Sequence, residues 1–231
     1  MKKILVTGAD SRFGKILKKL RSNKNFLFRN KNQLNILSSK SIINNIKKFK
    51  PDYIMHLAGL SRPMSIHEKH IDKSIDLNII GTCNIVKEAS KSKIKIIYLS
   101  TSYIYPGEKG NYKEEDPIKP WNNYAWSKLG GECAVQMYKN SLILRLCMTE
   151  KPFIHSKAYV NVQSNFIFQE SVAKIIIKLL NKKGVINVGG PSQSIYKFAK
   201  KNKKNVKKIY SKGEFPRRTD MDLKKLNNIL K

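Results

Sequence analysis

Thr101, Tyr124 and Lys128 are the residues best fitted by type and spacing to do chemistry. Thr101 stands where the apolar run Lys95-Ile96-Ile97-Tyr98-Leu99-Ser100 gives out, the expected carboxyl end of a buried strand. Tyr124 opens Tyr124-Ala125-Trp126-Ser127-Lys128, the expected start of a helix. Residues four apart on a helix share a face, so Tyr124 and Lys128 would project together. A hydroxyl at a strand end, facing a Tyr/Lys pair, suits the reduction or oxidation of a carbonyl. The Tyr-x-x-x-Lys spacing alone is weak evidence. With 10 Tyr and 39 Lys in the chain, chance supplies roughly one or two such pairs, and three occur. Tyr105/Lys109 falls in a Pro106-Gly107 loop, and Tyr196/Lys200 follows no hydroxyl-bearing strand end. Only Tyr124/Lys128 has the surroundings the chemistry requires.

Those surroundings are an alternation of strands and helices. Lys3 to Thr7 reads as a short buried strand ending at Gly8, and a helix follows to about Leu20. Phe26 to Phe28 is a second strand, Ser41 to Phe49 a helix, and Asp52 to Gly59 a third strand with its exit. Ile71 to Ser90 carries Ile75, Ile79, Cys83, Val86 and Ala89 at helical spacing, and a fourth strand covers Ile94 to Leu99. A loop with Pro117 and Pro120 leads to a helix from Asn123 to Tyr138 and a strand at Ser141 to Arg145. Further on, Glu170 to Leu180 is helical, Gly184 to Gly190 is a strand into a turn, and Ser194 to Lys201 and Met221 to Leu230 are short helices. Residues 149–165 give no clear pattern. This cadence predicts an α/β fold, a doubly wound parallel sheet of Rossmann-like type with a small carboxyl-terminal substrate-binding portion. The expected division is 1–148 for an NAD(P)-binding core and 149–231 for the small portion, packed on the core as one globular unit. Ligands of such sheets sit outside the carboxyl ends of the strands, where Gly8, Gly59 and Thr101 all fall.

Gly8-Ala9-Asp10-Ser11-Arg12-Phe13-Gly14 forms the turn after the first strand. In such a turn, backbone N–H groups and a helix N-terminus approach a diphosphate. Gly8 and Gly14 fill the first and third glycine places, and Ser11 fills the middle one, where its hydroxyl could donate to a phosphate. Asp10, Arg12 and Phe13 complete the expected cofactor turn. The second strand ends at Arg29-Asn30-Lys31 rather than at an acidic residue. Cations there suit the 2′-phosphate of NADP, with NAD the other candidate.

The chain has 231 residues, 41% hydrophobic content and a formal net charge of +30. Such a charge points first to a polyanion partner. The basic residues are mostly Lys, spread along the chain, with only seven Arg. That favours compositional drift with a locally basic phosphate site over nucleic-acid binding. Cys83, Cys133 and Cys147 have no metal or disulfide spacing, which fits a reducing cytoplasm. His67 and His70 lack a third ligand nearby and read as a solvated helical face; no metal site is expected. No run of 18 apolar residues is present, and the apolar stretch after Met1-Lys2-Lys3 stops at Thr7-Gly8, so neither a membrane span nor a signal peptide is expected.

Taken together, these motifs resemble the extended short-chain dehydrogenase/reductases, and within them the dTDP-4-dehydrorhamnose reductase family. The resemblance rests on Thr7-Gly8…Gly14, on Lys50-Pro51-Asp52-Tyr53-Ile54 running into His56-Leu57-Ala58-Gly59, and on Asn78. It continues through Ser100-Thr101-Ser102-Tyr103-Ile104-Tyr105-Pro106-Gly107 and Tyr124-Ala125-Trp126-Ser127-Lys128-Leu129-Gly130-Gly131-Glu132. Gly184 to Pro191 and Phe215-Pro216-Arg217-Arg218 resemble the family's carboxyl-terminal part. Three departures stand out. Ser11 replaces a glycine, Ser102 stands where the reductases carry Asp, and the stretch from Leu146 to Phe166 is short.

The resemblance implies NAD(P)H-dependent reduction of a nucleotide-linked 4-keto deoxysugar, serving surface polysaccharide synthesis. Tyr124 would protonate the developing alkoxide, Lys128 would favour its phenolate and bond the nicotinamide ribose, and Thr101 would orient the carbonyl. A free Tyr has a pKa of about 10, which a neighbouring cation lowers. Asn78 would support Lys128 through water. Ala58, Gly59, Tyr124 and Lys128 join the cofactor set, and Ser61, Arg62, Ser102 and Arg218 are candidate substrate contacts. The alternatives are a nucleotide-sugar epimerase or dehydratase of the same superfamily and a non-catalytic, cofactor-binding regulatory subunit. A cytoplasmic homodimer without nucleic-acid or membrane partners is expected.

Overall fold

The computed structural model describes residues 2–21 and 23–231; Met1, the first residue of the leader-like start weighed above, and Ser22 lie outside the described residues. β1 (Ile4–Thr7) is buried at every position and runs into α1 (Arg12–Leu20). β2 (Phe26–Arg29) and α2 (Ser39–Phe49) follow, then β3 (Tyr53–His56), again buried throughout. Two one-turn helices, α3 (Ile66–Lys69) and α4 (Ile71–Ser74), lead through a π-helical turn at Ile75–Ile80 into α5 (Gly81–Lys91). β4 (Lys95–Thr101) is the longest strand, and all seven of its residues are buried. A 3-10 turn at Ser102–Ile104 and a long loop precede α6 (Asn123–Gln136) and β5 (Ser141–Leu146).

The stretch without a clear sequence pattern holds short pairing segments: β6 (Met148–Thr149), β7 (Lys157–Tyr159), β8 (Gln163–Ser164) and β9 (Ile167–Phe168). After α7 (Gln169–Leu179) come β10 (Gly184–Val188), β11 (Gln193–Ser194), α8 (Ile195–Asn202), β12 (Lys207–Ile209) and α9 (Lys224–Leu230). β12 pairs in parallel with β7, with Lys207 opposite Lys157 and Ile209 opposite Tyr159.

The main sheet has six strands in the order β10-β5-β4-β3-β1-β2. β1 pairs in parallel with both β2 and β3, with Ile4 opposite Phe26 and Tyr53, and β3 pairs in parallel with β4. This is the expected doubly wound α/β architecture. The strand order reverses beside β1. The crevice at such a reversal, outside the carboxyl ends, is where ligands of these sheets bind.

The chain divides into two units. The first comprises Met1–Ser100, Asn122–Leu144 and Leu180–Val185. Its core includes Leu5, Ile42, Ile54, Ile85, Ile96, Tyr98, Val135 and Ile143. The second comprises Thr101–Trp121, Arg145–Leu179 and Ile186–Lys231. It has one cluster around Phe153, Val162, Phe198 and Ala199, and another around Tyr105, Tyr112, Cys147 and Met221. Inside it, Arg145 is buried and donates to the Tyr105 hydroxyl and the Glu114 carbonyl, while Tyr105 donates to Asn187 Oδ1.

One expected helix differs. The sequence suggests a continuous helix over Ile71 to Ser90 with Ile75, Ile79, Cys83, Val86 and Ala89 inward. The π turn interrupts it, and the inward residues are Asn78, Gly81, Thr82, Ile85, Glu88 and Ala89, while Ile75 is 42% exposed. An extra residue per turn rotates the following face. It places Asn78 against α6, where Gly131 leaves room: a Cβ at Gly131 would lie 2.5 Å from the Asn78 carbonyl oxygen.

Candidate active site

The turn after β1 is tight. Gly8 has φ +70°, and a Cβ on it would stand 2.6 Å from the Ala58 nitrogen. Only glycine meets both demands. A Cβ on Gly14 would lie 2.6 Å from the Gly8 carbonyl oxygen. Ser11 is the N-cap of α1, and its Oγ accepts from the Gly14 N–H at 3.0 Å. The middle place therefore holds a helix cap, with the hydroxyl hydrogen left to donate. Phe13 is buried, so its side chain anchors the helix and only its backbone faces the turn's chemistry; Asp10 and Arg12 are exposed. Gly8→Ala should cost about 2 kcal/mol or more of stability through left-handed strain and overlap. Urea denaturation checks this.

The end of β2 is fastened to this turn. The Arg29 carbonyl accepts from Ala9 N–H at 3.0 Å, and Arg29 Nε donates to Asn45 Oδ1 at 3.0 Å, sparing the two terminal amino groups. Asn30 and Gln33 bond each other reciprocally, side chain to backbone.

A buried polar chain connects β1, β3 and the π turn. Thr7 Oγ1 accepts from Leu57 and Ala58 N–H, so its own hydrogen goes to His56 Nδ1 at 2.9 Å. Thr82 Oγ1 donates to the Asn78 carbonyl at 2.8 Å, so His56 Nε2 carries the hydrogen shared with Thr82, at 3.1 Å. Burial, and secondarily the charge of Lys128, lowers the His56 pKa to about 3, which keeps the ring neutral. Asn78 then acts as a clamp. Its Oδ1 accepts from Leu60 N–H at 2.7 Å; its Nδ2 donates to the Leu60 carbonyl at 2.9 Å and to Ser127 Oγ at 2.8 Å. Asn78 thus fixes the exit of β3 to the residue beside Lys128. A Cβ on Gly59, which has φ +155°, would lie 2.7 Å from Asn78 Oδ1.

α6 starts at Asn122, whose Oδ1 accepts from Ala125 N–H at 2.8 Å. Ser127 Oγ donates to the Tyr124 carbonyl. Four residues on from Tyr124, Lys128 is 9% exposed, with Nζ 4.1 Å from the centre of the Tyr98 ring, a cation–π distance. The Tyr98 hydroxyl donates to the Lys128 carbonyl at 3.0 Å. Burial lowers the Lys128 pKa from 10.5 to about 7, opposed by the charge of Glu132. Glu132 is fully buried one turn further on and accepts from Ser100 Oγ and Gln136 Nε2.

In the second unit, Thr101 is 5% exposed and its Oγ1 accepts from Tyr103 N–H at 3.2 Å, capping the 3-10 turn. Ser102 is buried. Arg218 pairs through Nε with Asp220 Oδ1 at 3.2 Å. In the first unit, Ser61 is exposed and Arg62 half-buried in the stretch after β3.

The family model for the RmlD substrate binding domain matches residues 1–160. The chain belongs to the RmlD substrate binding domain family. Methionine adenosyltransferase 2 subunit beta of Bos taurus is 34% identical over 143 residues, covering 58% of this chain and 42% of that protein. The chain therefore spans less than half the length of that relative. A dTDP-4-dehydrorhamnose reductase of Aggregatibacter actinomycetemcomitans is 26% identical over 204 residues, covering 84% of this chain and 64% of that protein. Among solved structures, a dTDP-4-dehydrorhamnose reductase from Bacillus anthracis, in complex with NADP, superposes with a TM-score of 0.85 at 21% identity, over 98% of this chain and 91% of that one. That likeness establishes the shared fold.

Within this RmlD-family chain, the first unit gathers Gly8, Ser11, Gly14, Ala58 and Gly59 around the β1 and β3 exits, and it also carries Tyr124 and Lys128 on α6. β4 runs without a break from Ser100, which holds Glu132, into Thr101. The sequence reading missed the roles of His56, Glu132 and Ser127. Glu132 was legible as an acid four residues after Lys128; a His inside an apolar strand marked His56. His67 corrects an expectation: it is fully buried rather than on a solvated face, because its Nδ1 is bonded to Ser74 Oγ and its ring packs on Tyr124. Among the described residues, no group of three or more His, Cys, Asp or Glu is placed to hold a metal ion, and no helix is long and apolar enough to cross a membrane.

Proposed function

We propose that this chain is an NADP-dependent reductase of a nucleotide-linked 4-keto deoxysugar. The observation that carries the reading is that Tyr124 stands one turn before Lys128 on α6, with Lys128 buried and its pKa lowered to about 7, on the unit that also holds the glycine turn. The turn suits a dinucleotide: Gly8 makes the tight left-handed turn against Ala58, Gly14 lets α1 start close upon it, and Ser11 keeps a hydroxyl hydrogen to offer a phosphate. Arg29, with its two terminal amino groups spared, suits a 2′-phosphate. When bound, NADPH supplies the hydride.

The chain's own residues do the rest. Tyr124 donates its phenolic proton to the alkoxide oxygen that forms at the sugar carbon. The Lys128 ammonium favours the phenolate left behind and bonds the nicotinamide ribose. Thr101 donates to the substrate carbonyl oxygen and stabilises its charge. Ser61, Arg62, Ser102 and Arg218 are the substrate contacts in this reading, and Asp10, Arg12, Phe13, Asn30, Ala58 and Gly59 complete the cofactor set. The reading takes residues 1–148 as the cofactor core, 149–231 as the substrate portion, and the protein as a cytoplasmic homodimer. The test is oxidation of NADPH, and of NADH in parallel, with a panel of 4-keto deoxysugar nucleotides. Turnover with at least one sugar nucleotide is expected, and faster with NADPH.

A second reading is favoured by the similarity to methionine adenosyltransferase 2 subunit beta. In it the chain is a non-catalytic, cofactor-binding subunit of a larger enzyme. Tight NADPH binding with no turnover across the whole panel would select it.

A further inference from the structure

His67 is fully buried in α3, yet it belongs to no part of the chemistry described so far. Its Nδ1 is bonded to Ser74 Oγ of α4 at 2.8 Å. Its ring centre lies 5.1 Å from that of Tyr124, tilted by 59°. The buried Nε2 makes no hydrogen bond of ordinary geometry. Burial lowers its pKa, while the Ser61 backbone and the Glu68 charge act the other way. α3 is also tied to the start of α6: Asn123 Nδ2 donates to Glu68 Oε2 at 2.6 Å and to the His67 carbonyl at 3.4 Å.

A fully buried imidazole in a one-turn helix calls for a reason, since apolar side chains pack such sites at less cost. We propose that His67 is a positioning residue for Tyr124, its ring held by Ser74 so that it sets the orientation of the Tyr124 ring. The proposal rests on the reductase reading for its effect on rate, but not for its effect on Tyr124 itself. Ser74 fixes the imidazole about its Cβ–Cγ bond, and the tilted imidazole restricts the neighbouring phenol. The same α3 residue feels the backbone of Ser61, in the loop after β3. A misplacement of about 1 Å can cost roughly 100-fold in rate, so such a wall is worth building from a tethered ring.

Two variants separate the ring from its tether. His67→Phe keeps a ring against Tyr124 and loses both nitrogens; Ser74→Ala keeps the imidazole and loses its anchor. The full chain is prepared with 3-fluorotyrosine at position 124, and its 19F resonance is read in wild type, each variant and the double variant. NADPH affinity and, with the keto-sugar panel, kcat and KM are read alongside. The expected result is a shifted or broadened resonance in both single variants and no further change in the double. A kcat loss of roughly 10–100-fold should accompany it, with KM and NADPH affinity held within about twofold. An unchanged resonance in Ser74→Ala, which keeps the core volume, overturns the proposal even if His67→Phe fails to fold. If wild type binds NADPH but reduces no sugar nucleotide, the reductase reading fails, and the fluorine signal alone decides the role of His67.

Discussion

Tyr124→Phe should, on the proposed reading, lower kcat for keto-sugar reduction by about 10²–10⁴-fold, the range ascribed to a positioned general acid. The change removes one hydroxyl and keeps the ring that packs on His67. The ring packing and the α6 cap at Asn122 remain, so stability should fall by no more than about 1.5 kcal/mol, the worth of one hydroxyl hydrogen bond. NADPH affinity should hold within a few-fold, because the turn at Gly8 to Gly14 lies on different elements. Stopped-flow reduction of the sugar nucleotide, urea denaturation and calorimetric NADPH binding read the three in turn. Full activity in the Phe variant would remove Tyr124 from the chemistry.

The second large effect is a pH dependence set by Lys128. Its pKa is pulled down to about 7 by burial, with Glu132 pulling upward. The ammonium is the form that favours phenolate at Tyr124, so kcat/KM, which reports the free enzyme, should fall as pH rises through about 7. Above that point the loss should approach tenfold per pH unit. Glu132→Gln removes the opposing anion, so the limb should move to lower pH, by about one unit. A limb that stays in place in that variant would mean that another group titrates.

Stability carries the same signature with a definite sign. The folded pKa of Lys128 is depressed from 10.5, so between about pH 7 and 10.5 the unfolded chain binds more protons than the folded one. The full penalty is present below pH 7 and is relieved as pH rises across that window. Each unit of depression corresponds to about 1.4 kcal/mol. Urea denaturation at several pH values should show wild-type stability rising from pH 7 to 9 relative to Lys128→Met, which lacks the titrating group.

Much of this was legible in the chain. Alternating apolar runs gave β1, β3 and β4 nearly to the residue, because strands buried on both faces read as continuous apolar stretches. The glycine turn was legible because positive φ and close backbone approach leave few choices of residue. The segment between β6 and β9 was not legible. Its strands are two or three residues long and are held by partners far along the chain, such as β7 by β12.

The sequence by itself determined the fold class, the turn after β1, and a Tyr/Lys pair four residues apart on one helix. These are local properties, fixed by period, φ and side-chain type. The tertiary structure decided what those groups are chemically. It put Lys128 out of water, over Tyr98 and one turn from a buried Glu132; it inserted the π turn that aims Asn78 at α6; and it buried His67 against Tyr124. Desolvation depends on what the rest of the chain packs around a group. Residue spacing therefore identified the pair, while only the packed fold could set its proton affinity.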